Sequence, residues 1–322
     1  MPSKPVIGRN EMEQIPERKR FLSRKTTFPM FSNDVADGWL QLLNLVMRIG
    51  TDKTTGQGDR IAEALNAIVT IQLAAEEEEL APYLDLSGAD VDEHYRRFTS
   101  TSPTGDSGPA LGQRLHDWNG LSQFDAAIER LKQSHDTRSG TLVLIDPQEM
   151  GSPQNTPSIL SATFNVIEGA LFGSFVIRSM DVYAAWPLEA LSLTRLQREA
   201  AARLGIDVGS ATFVIHSAHL CDRDWASALR VLDESFKRPL PLQEDASGIF
   251  LFGNDGGKAR AMLLNHDASA IQWEETFTNP EDLSWYIIDI MPWLSSQHMR
   301  YIGQECAALM RSIRESECYE QG

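Results

Sequence analysis

The sequence predicts an α+β protein with a large mixed sheet backed by helices, and three observations carry that expectation. A β-rich stretch runs through Thr141-Leu142-Val143-Leu144-Ile145 and 162–177, with a turn at Glu168-Gly169. Helix-period segments flank it at Ser122–Gln133, where Phe124, Ile128 and Leu131 share one face, and at Leu188–Leu204. Two long apolar segments stop at glycines, Gly50 and Gly205, as helices do. With 42% hydrophobic and 23% charged residues, the 322-residue chain is long enough for one large domain or two modest ones.

Residues 1–35 are polar, contain Arg18-Lys19-Arg20, Arg24-Lys25 and four prolines, and read as a basic arm. Such an arm can bind a polyanion, pack over a partner subunit or stay disordered. Trp39 to Ile49 reads as a buried helix closed by Gly50, with Asp37 or Asn33 as its cap. Arg60 to Leu73 holds the apolar run Ala67-Ile68-Val69-Thr70-Ile71, which fits a strand or a buried helix end. The four glutamates 76–79 read as a solvated face, because adjacent carboxylates on a helix diverge too far to share a metal. Residues 100–109 form a long polar loop, either a lid or a surface excursion.

Ala211–Ile215 reads as one more strand. The core is thus expected over 36–225, with 226–322 as a divergent C-terminal part packed on the same domain. That part holds the strand-like Gly248–Gly253 and a closing amphipathic helix from Leu294 to about Arg314. Trp285, Tyr286, Trp293 and Met299 read as core or dimer-contact residues. No internal repeat is present.

With 45 acidic against 29 basic side chains the net charge is −16, which disfavours a nucleic-acid partner, since gripping a phosphate backbone needs clustered cations. A small anion held by a few local arginines remains open. Three cysteines without paired spacing point to a reducing compartment, the cytoplasm. No run approaches the roughly 18 apolar residues of a membrane span, and the N-terminus lacks an apolar leader.

Five short segments follow one another from residue 111: Leu111-Gly-Gln-Arg-Leu115, Asp136-Thr-Arg-Ser139, Thr156-Pro-Ser158, Arg178-Ser-Met-Asp-Val-Tyr183 and Ala218-His-Leu-Cys-Asp-Arg-Asp224. In order and spacing they resemble the thymidylate synthases and their pyrimidine-nucleotide (dCMP) hydroxymethylase relatives, with an ending closer to the archaeal and phage branches. The resemblance covers 107–225 clearly and extends back to residue 39. It implies a nucleotide monophosphate held by Arg178 and Ser179, a guanidinium fork and a hydroxyl suited to a dianionic phosphate. It further implies that Arg138 reaches the same phosphate from the neighbouring subunit of a homodimer, with Ser139 standing where a second arginine is usual. Asp181 would orient the base, His219 the sugar hydroxyl, and a reduced folate would carry the one-carbon unit. A structural ion pair between Arg178 and Asp181 is the alternative for that arginine. His216, His219 and Asp222 also suggest a metal, but lack a further ligand.

The pattern breaks where the chemistry lies. The family begins by adding a thiolate to C6 of the pyrimidine, and this chain has Ser158 at that position. A thiol with a pKa of about 8.5 ionises with modest help, whereas a hydroxyl needs an adjacent base, and Ile159 is none. Leu111 stands where a tyrosine precedes the glycine in a strand, and Cys221 where a tyrosine follows the histidine. These further losses favour natural divergence over a single engineered exchange. Glu189 aligns with the base-reading asparagine; an ionised carboxylate accepts but cannot donate, so it suits a cytidylate-like edge, or else it is a surface residue. Three readings follow. The first is a C5 one-carbon transferase or hydroxymethylase, and the second an inactive nucleotide-binding sensor or partner subunit. The third is another reaction, such as hydrolysis, in the same pocket.

Overall fold

The computed structural model describes residues 18, 20, 21, 23–56, 58–73, 80–102, 111–151, 156–236, 248–265 and 267–322. The acidic run 76–79, most of the basic arm and the 103–110 part of the polar loop lie outside the described residues. The chain divides into two compact units, 1–237 and 238–322.

In the first unit β1 (Phe28–Ser32) leads into α1 (Val35–Ile49), then β2 (Thr51–Thr54) and β3 (Arg60–Ile71). The start of α1 lies a turn before the expected Trp39, and its cap is neither Asp37 nor Asn33. Asp34 caps it, its carboxylate accepting the Asp37 N–H at 2.6 Å. Gly50 ends the helix through close approach rather than a left-handed turn: its φ is −54°, and a Cβ there would lie 2.4 Å from the Val46 carbonyl oxygen. The ambiguous apolar run resolves as strand, because Ala67, Val69 and Ile71 alternate inward at the two-residue period of a sheet.

Next come α2 (Gly88–Thr99), α3 (Leu111–His116) and α4 (Gln123–Gln133), the last capped by Ser122. Leu111 therefore opens a short helix and not the expected strand. Gly112 presses on the backbone of Ser100, where a Cβ would come within 2.2 Å of the carbonyl oxygen. The strands β4 (Thr141–Val143), β5 (Ile159–Ile167), β6 (Ala170–Ile177) and β7 (Met180–Asp181) follow, then α5 (Trp186–Leu204), β8 (Asp207–Cys221) and α6 (Trp225–Ser235).

The eight strands form one mixed sheet in the order β1-β3-β8-β6-β5-β4, with β2 on β3 and β7 on β8. β8 is antiparallel to β3 and parallel to β6 and β7. Glu168 and Gly169, at φ 51° and 82°, make the two-residue turn between β5 and β6, both in the left-handed region that matches strand twist. One face is covered by α1 and α5. There Phe213 stacks on Phe175 at 5.1 Å and meets Trp186 edge-on at 4.9 Å. On the other face two cross-strand rows, Ile68-Val214-Val176-Ser161 and Thr70-Thr212-Ser174-Thr163, remain half-buried in the single chain.

The second unit is an antiparallel sheet of β9 (Ile249–Asp255), β10 (Lys258–Leu264) and β11 (Ile271–Phe277), with α7 (Pro280–Ile290) and α8 (Ser296–Glu315). It has its own core, with Phe250, Ala261 and Leu263 against Leu283, Ile287, Ile302 and Leu309. The carboxamide of Gln321 clasps the edge strand, accepting the Phe252 N–H and donating to the Phe250 carbonyl, both at 2.8 Å. The expected boundary at 225/226 shifts, because Trp225, Ala228 and Leu232 of α6 are buried in the first unit's core. Trp285 and Trp293 are not core residues; they are 64% and 62% exposed.

Candidate functional site

The β5–β6 hairpin places residues 158 and 178 side by side, and the Arg178 N–H donates to the Ser158 carbonyl at 2.7 Å. Both side chains are exposed at that end of the sheet. The Arg178 guanidinium donates to the Thr156 carbonyl at 3.4 Å, and no carboxylate pairs with it among the described residues. The structural ion pair with Asp181 is therefore not formed. No side chain hydrogen-bonds the Ser158 hydroxyl among the described residues.

One residue beyond Arg178 the chain crosses to β8. Ser179 Oγ lies 3.3 Å from His219 Nδ1, and Asp181 is the register partner of His219 in the parallel β7–β8 pair. Asp181 Oδ1 accepts the N–H groups of Tyr183 and Ala184, both at 3.0 Å, which fixes the turn into α5. The Trp39 indole pins the same turn, donating to the Val182 carbonyl at 2.6 Å. Asp181 Oδ2 is left to face the Cys221 thiol, 3.8 Å away. Burial, then the Asp181 charge, pushes that thiol above its ordinary range. Asp224 joins them, so that one ligand atom from each of Asp181, Cys221 and Asp224 lies within 4.8 Å of the others. Burial and Asp181 raise the Asp224 carboxyl too.

His216 and His219 do not converge. Three positions apart on one strand they leave by opposite faces, and His216 instead meets Asn66 Oδ1 at 3.1 Å. Arg138 stands apart, exposed on the loop between α4 and β4 and without an ion pair among the described residues. Ser139 in that loop only supports it, its carbonyl accepting from Arg130 at 3.2 Å. Arg114 of the first motif is structural: it is 1% exposed and donates to the Leu144 carbonyl at 2.7 Å.

Glu189 is not a surface residue. It lies in the first turn of α5, 7% exposed, and its carboxyl faces α2, where His94 Nε2 and Arg97 Nη1 come within 3.7 and 3.6 Å of Oε1. Burial raises its pKa and the Arg97 charge opposes that. The sequence reading missed His94 and Arg97. They lie 95 and 92 positions from Glu189, and no local pattern announces a contact across that separation.

A mixed sheet with helices on one face carries at its end a serine, an arginine–serine pair, an aspartate and a histidine drawn from two hairpin strands and a crossover, the frame of an α+β protein of the transferase class. Residues 39–249 match the thymidylate synthase family profile, and the chain belongs to that family. A second profile, described as PterinBD-DUF4346, matches 244–322. The chain is 29% identical over 214 residues to a "Putative thymidylate synthase" of Methanothermobacter thermautotrophicus, covering 62% of this chain and 96% of that protein. It is 28% identical over 202 residues to a protein of the same description from Methanosarcina mazei, covering 60% and 89%. Among the described residues no helix is long and apolar enough to cross a membrane.

Proposed function

We propose that the first unit binds a pyrimidine nucleoside monophosphate, cytidylate-like by preference, at the sheet end holding Ser158, Arg178, Ser179, Asp181 and His219. The observation that carries this reading is the exposed Arg178 side chain, without an ion pair among the described residues, next to Ser158 across the hairpin and one residue from the Ser179–His219 contact. The phosphate would sit on Arg178 and Ser179, the sugar hydroxyl on His219, and the base over Ser158 with its polar edge toward Glu189. Arg138 would reach the phosphate from a second copy of the chain, and the half-buried rows through Val214 and Thr212 on the open sheet face support a homodimer. Three free cysteines support a reducing, cytoplasmic setting.

The reaction this arrangement suits is one-carbon transfer to C5, a methyl- or hydroxymethyltransferase, with Ser158 in the nucleophile's place. A reduced folate or related pterin would supply the one-carbon unit, and the profile matched by 244–322 supports a pterin there. The residues present fit such a planar ring: on α7 the exposed Trp285 stands one helical turn from Glu281 and from Asp289, an aromatic face flanked by acceptors for ring amino groups. The second reading, a nucleotide-binding sensor or partner subunit without turnover, is favoured by one observation: among the described residues no side chain hydrogen-bonds the Ser158 hydroxyl. Calorimetry with a panel of nucleoside monophosphates tests the shared part. Binding abolished by Arg178→Ala is the expected result, and no binding of any nucleotide overturns both readings.

A further inference from the structure

Cys221, the last residue of β8, is 6% exposed, and its thiol hydrogen-bonds one side chain among the described residues, Asp181 Oδ2 at 3.8 Å. Asp224 is the residue before α6, where an aspartate ordinarily accepts an N–H of the first turn, yet its side chain makes no capping bond. Its carboxylate lies with the other two groups instead, one oxygen of each acid and the sulfur all within 4.8 Å of one another. A thiol closed off from solvent and two acids from separate elements thus set three electron-pair donors around one point.

The donors are held from three directions. Asp181 is fixed by its register with His219 and by Oδ1, which accepts the Tyr183 and Ala184 N–H groups, so Oδ2 is the oxygen turned to the thiol. Cys221 pairs with Ile61 of β3, and the short helical turn Asp222–Asp224 brings Asp224 back beside it. Charge is out of balance there. Asp181, Asp224 and Asp59 all bear on Cys221, and the cation that opposes them, Arg223, is 63% exposed, 3.5 Å from Asp224 and 3.9 Å from Asp59.

A divalent cation answers both the donor set and the charge. Zinc sits about 2.3 Å from sulfur and about 2.0–2.2 Å from carboxylate oxygen, which in a tetrahedral shell sets neighbouring donors about 3.3–3.6 Å apart. The 3.8 Å from Sγ to Asp181 Oδ2 and the 4.8 Å spread of the three are a small side-chain adjustment from that shell. A thiolate donor disfavours magnesium and calcium, which take oxygen ligands, and suits zinc or cobalt.

We infer that Asp181, Cys221 and Asp224 form a binding site for a divalent transition-type cation, zinc above all, which ties the ends of β7 and β8 to the start of α6. On binding, the S–H bond of Cys221 breaks, its proton leaves to solvent, and the thiolate electron pair forms the bond to the metal. Three protein donors leave a tetrahedral ion one open position, taken by water or by an oxygen of a bound ligand. Metal binding at these residues does not depend on a nucleotide at Arg178.

Cobalt(II) reports on the site, because a thiolate ligand gives it a charge-transfer band in the near ultraviolet that oxygen ligands do not. The full chain, reduced and stripped with a chelator, is titrated with cobalt(II) and then with zinc(II). A single equivalent of cobalt per chain should saturate the band, and zinc should remove it by displacement. Cys221→Ser should abolish the band, Asp224→Asn should weaken cobalt affinity by about tenfold or more, and Cys318→Ser should leave both unchanged. Zinc should also raise the melting temperature of the wild type and not that of Cys221→Ser, whose melting curve without metal shows that it folds. A wild type without the band, a band that survives Cys221→Ser or is lost with Cys318→Ser, an affinity unchanged in Asp224→Asn, or an equal rise in melting temperature in wild type and Cys221→Ser each overturns the site.

Discussion

The Arg178 N–H donates to the Ser158 carbonyl at 2.7 Å, so the guanidinium and the hydroxyl leave adjacent ends of one hairpin. Backbone pairing holds that spacing, and it survives loss of either side chain. Arg178→Ala is therefore expected to keep the fold, with a melting temperature within about 2 °C of the wild type, since exposed substitutions change stability by about 0.5 kcal/mol or less. Affinity for a nucleoside monophosphate should fall by about 30-fold or more, the worth of about 2 kcal/mol from a charge-assisted pair. Calorimetry and a melting curve on the same preparation check both.

Ser158→Cys is the corresponding gain-of-function experiment. If the pocket still directs C6 of a pyrimidine at this position, the variant should release tritium from C5-labelled nucleotide where the wild type releases little or none, because a thiol ionises near neutral pH and a hydroxyl does not. A blank from both proteins with every pyrimidine nucleotide would assign the chain to binding without turnover.

Cys221 lies in the same neighbourhood, where its surroundings disfavour the thiolate that a substitute nucleophile would need. Burial and the Asp181 charge push its thiol up, and burial takes Cys306 to about 12, whereas Cys318 is exposed. In a thiol-titration time course near pH 8, one cysteine should react at least about tenfold faster than the other two, since thiolate is the reacting form. Cys318→Ser should remove that fast phase. A fast phase that persists would put a reactive thiol back in the site.

Most of the core was legible because its residues obey one local period. Ala67, Val69 and Ile71 alternate inward, and Phe124, Ile128 and Leu131 follow a helix face. β8 was read only over Ala211–Ile215 although it spans Asp207–Cys221, because His216, Ser217 and His219 look like loop residues and are strand residues. The motif order singled out Ser158, Arg178, Ser179, Asp181 and His219, and strand pairing sets Ser158 beside Arg178 and His219 beside Ser179 and Asp181. The approach of His94 and Arg97 to Glu189 was invisible because the three residues lie on two separate helices, α2 and α5. Leu111 was misplaced because the polar loop before it conceals where a helix starts.

Dimer formation makes a separate prediction. The half-buried row Ile68-Val214-Val176 runs across three paired strands beside a row of threonines and a serine, and a sheet face of that kind is suited to a twofold partner. Light scattering is expected to give twice the 35.9 kDa chain mass. Val214→Asp should shift it toward the single chain, because a charge on that row would be buried unpaired against its own symmetry copy. Nucleotide affinity should fall with it, since Arg138 would no longer reach the phosphate. A monomeric wild type that binds nucleotide normally would remove the trans role of Arg138.

Two titratable groups that meet between α2 and α5 should leave opposite marks on stability. An unfolded chain protonates His94 near 6.5, while the folded chain resists until about 4. Within that window the unfolded state holds more protons, so acidification destabilises the protein, by about 1–2 kcal/mol once partial exposure is discounted. Glu189 acts the other way. Burial raises its carboxyl above the ordinary 4.5, so the folded state holds the extra proton, and stability declines as pH rises past that value. His94→Gln should flatten the loss in urea midpoint between pH 6.5 and 4, and Glu189→Gln should raise the midpoint at pH 7 while changing it little near pH 4. If both variants instead shift the midpoint equally at every pH, the two side chains act through packing alone and the charge relation between α2 and α5 is absent.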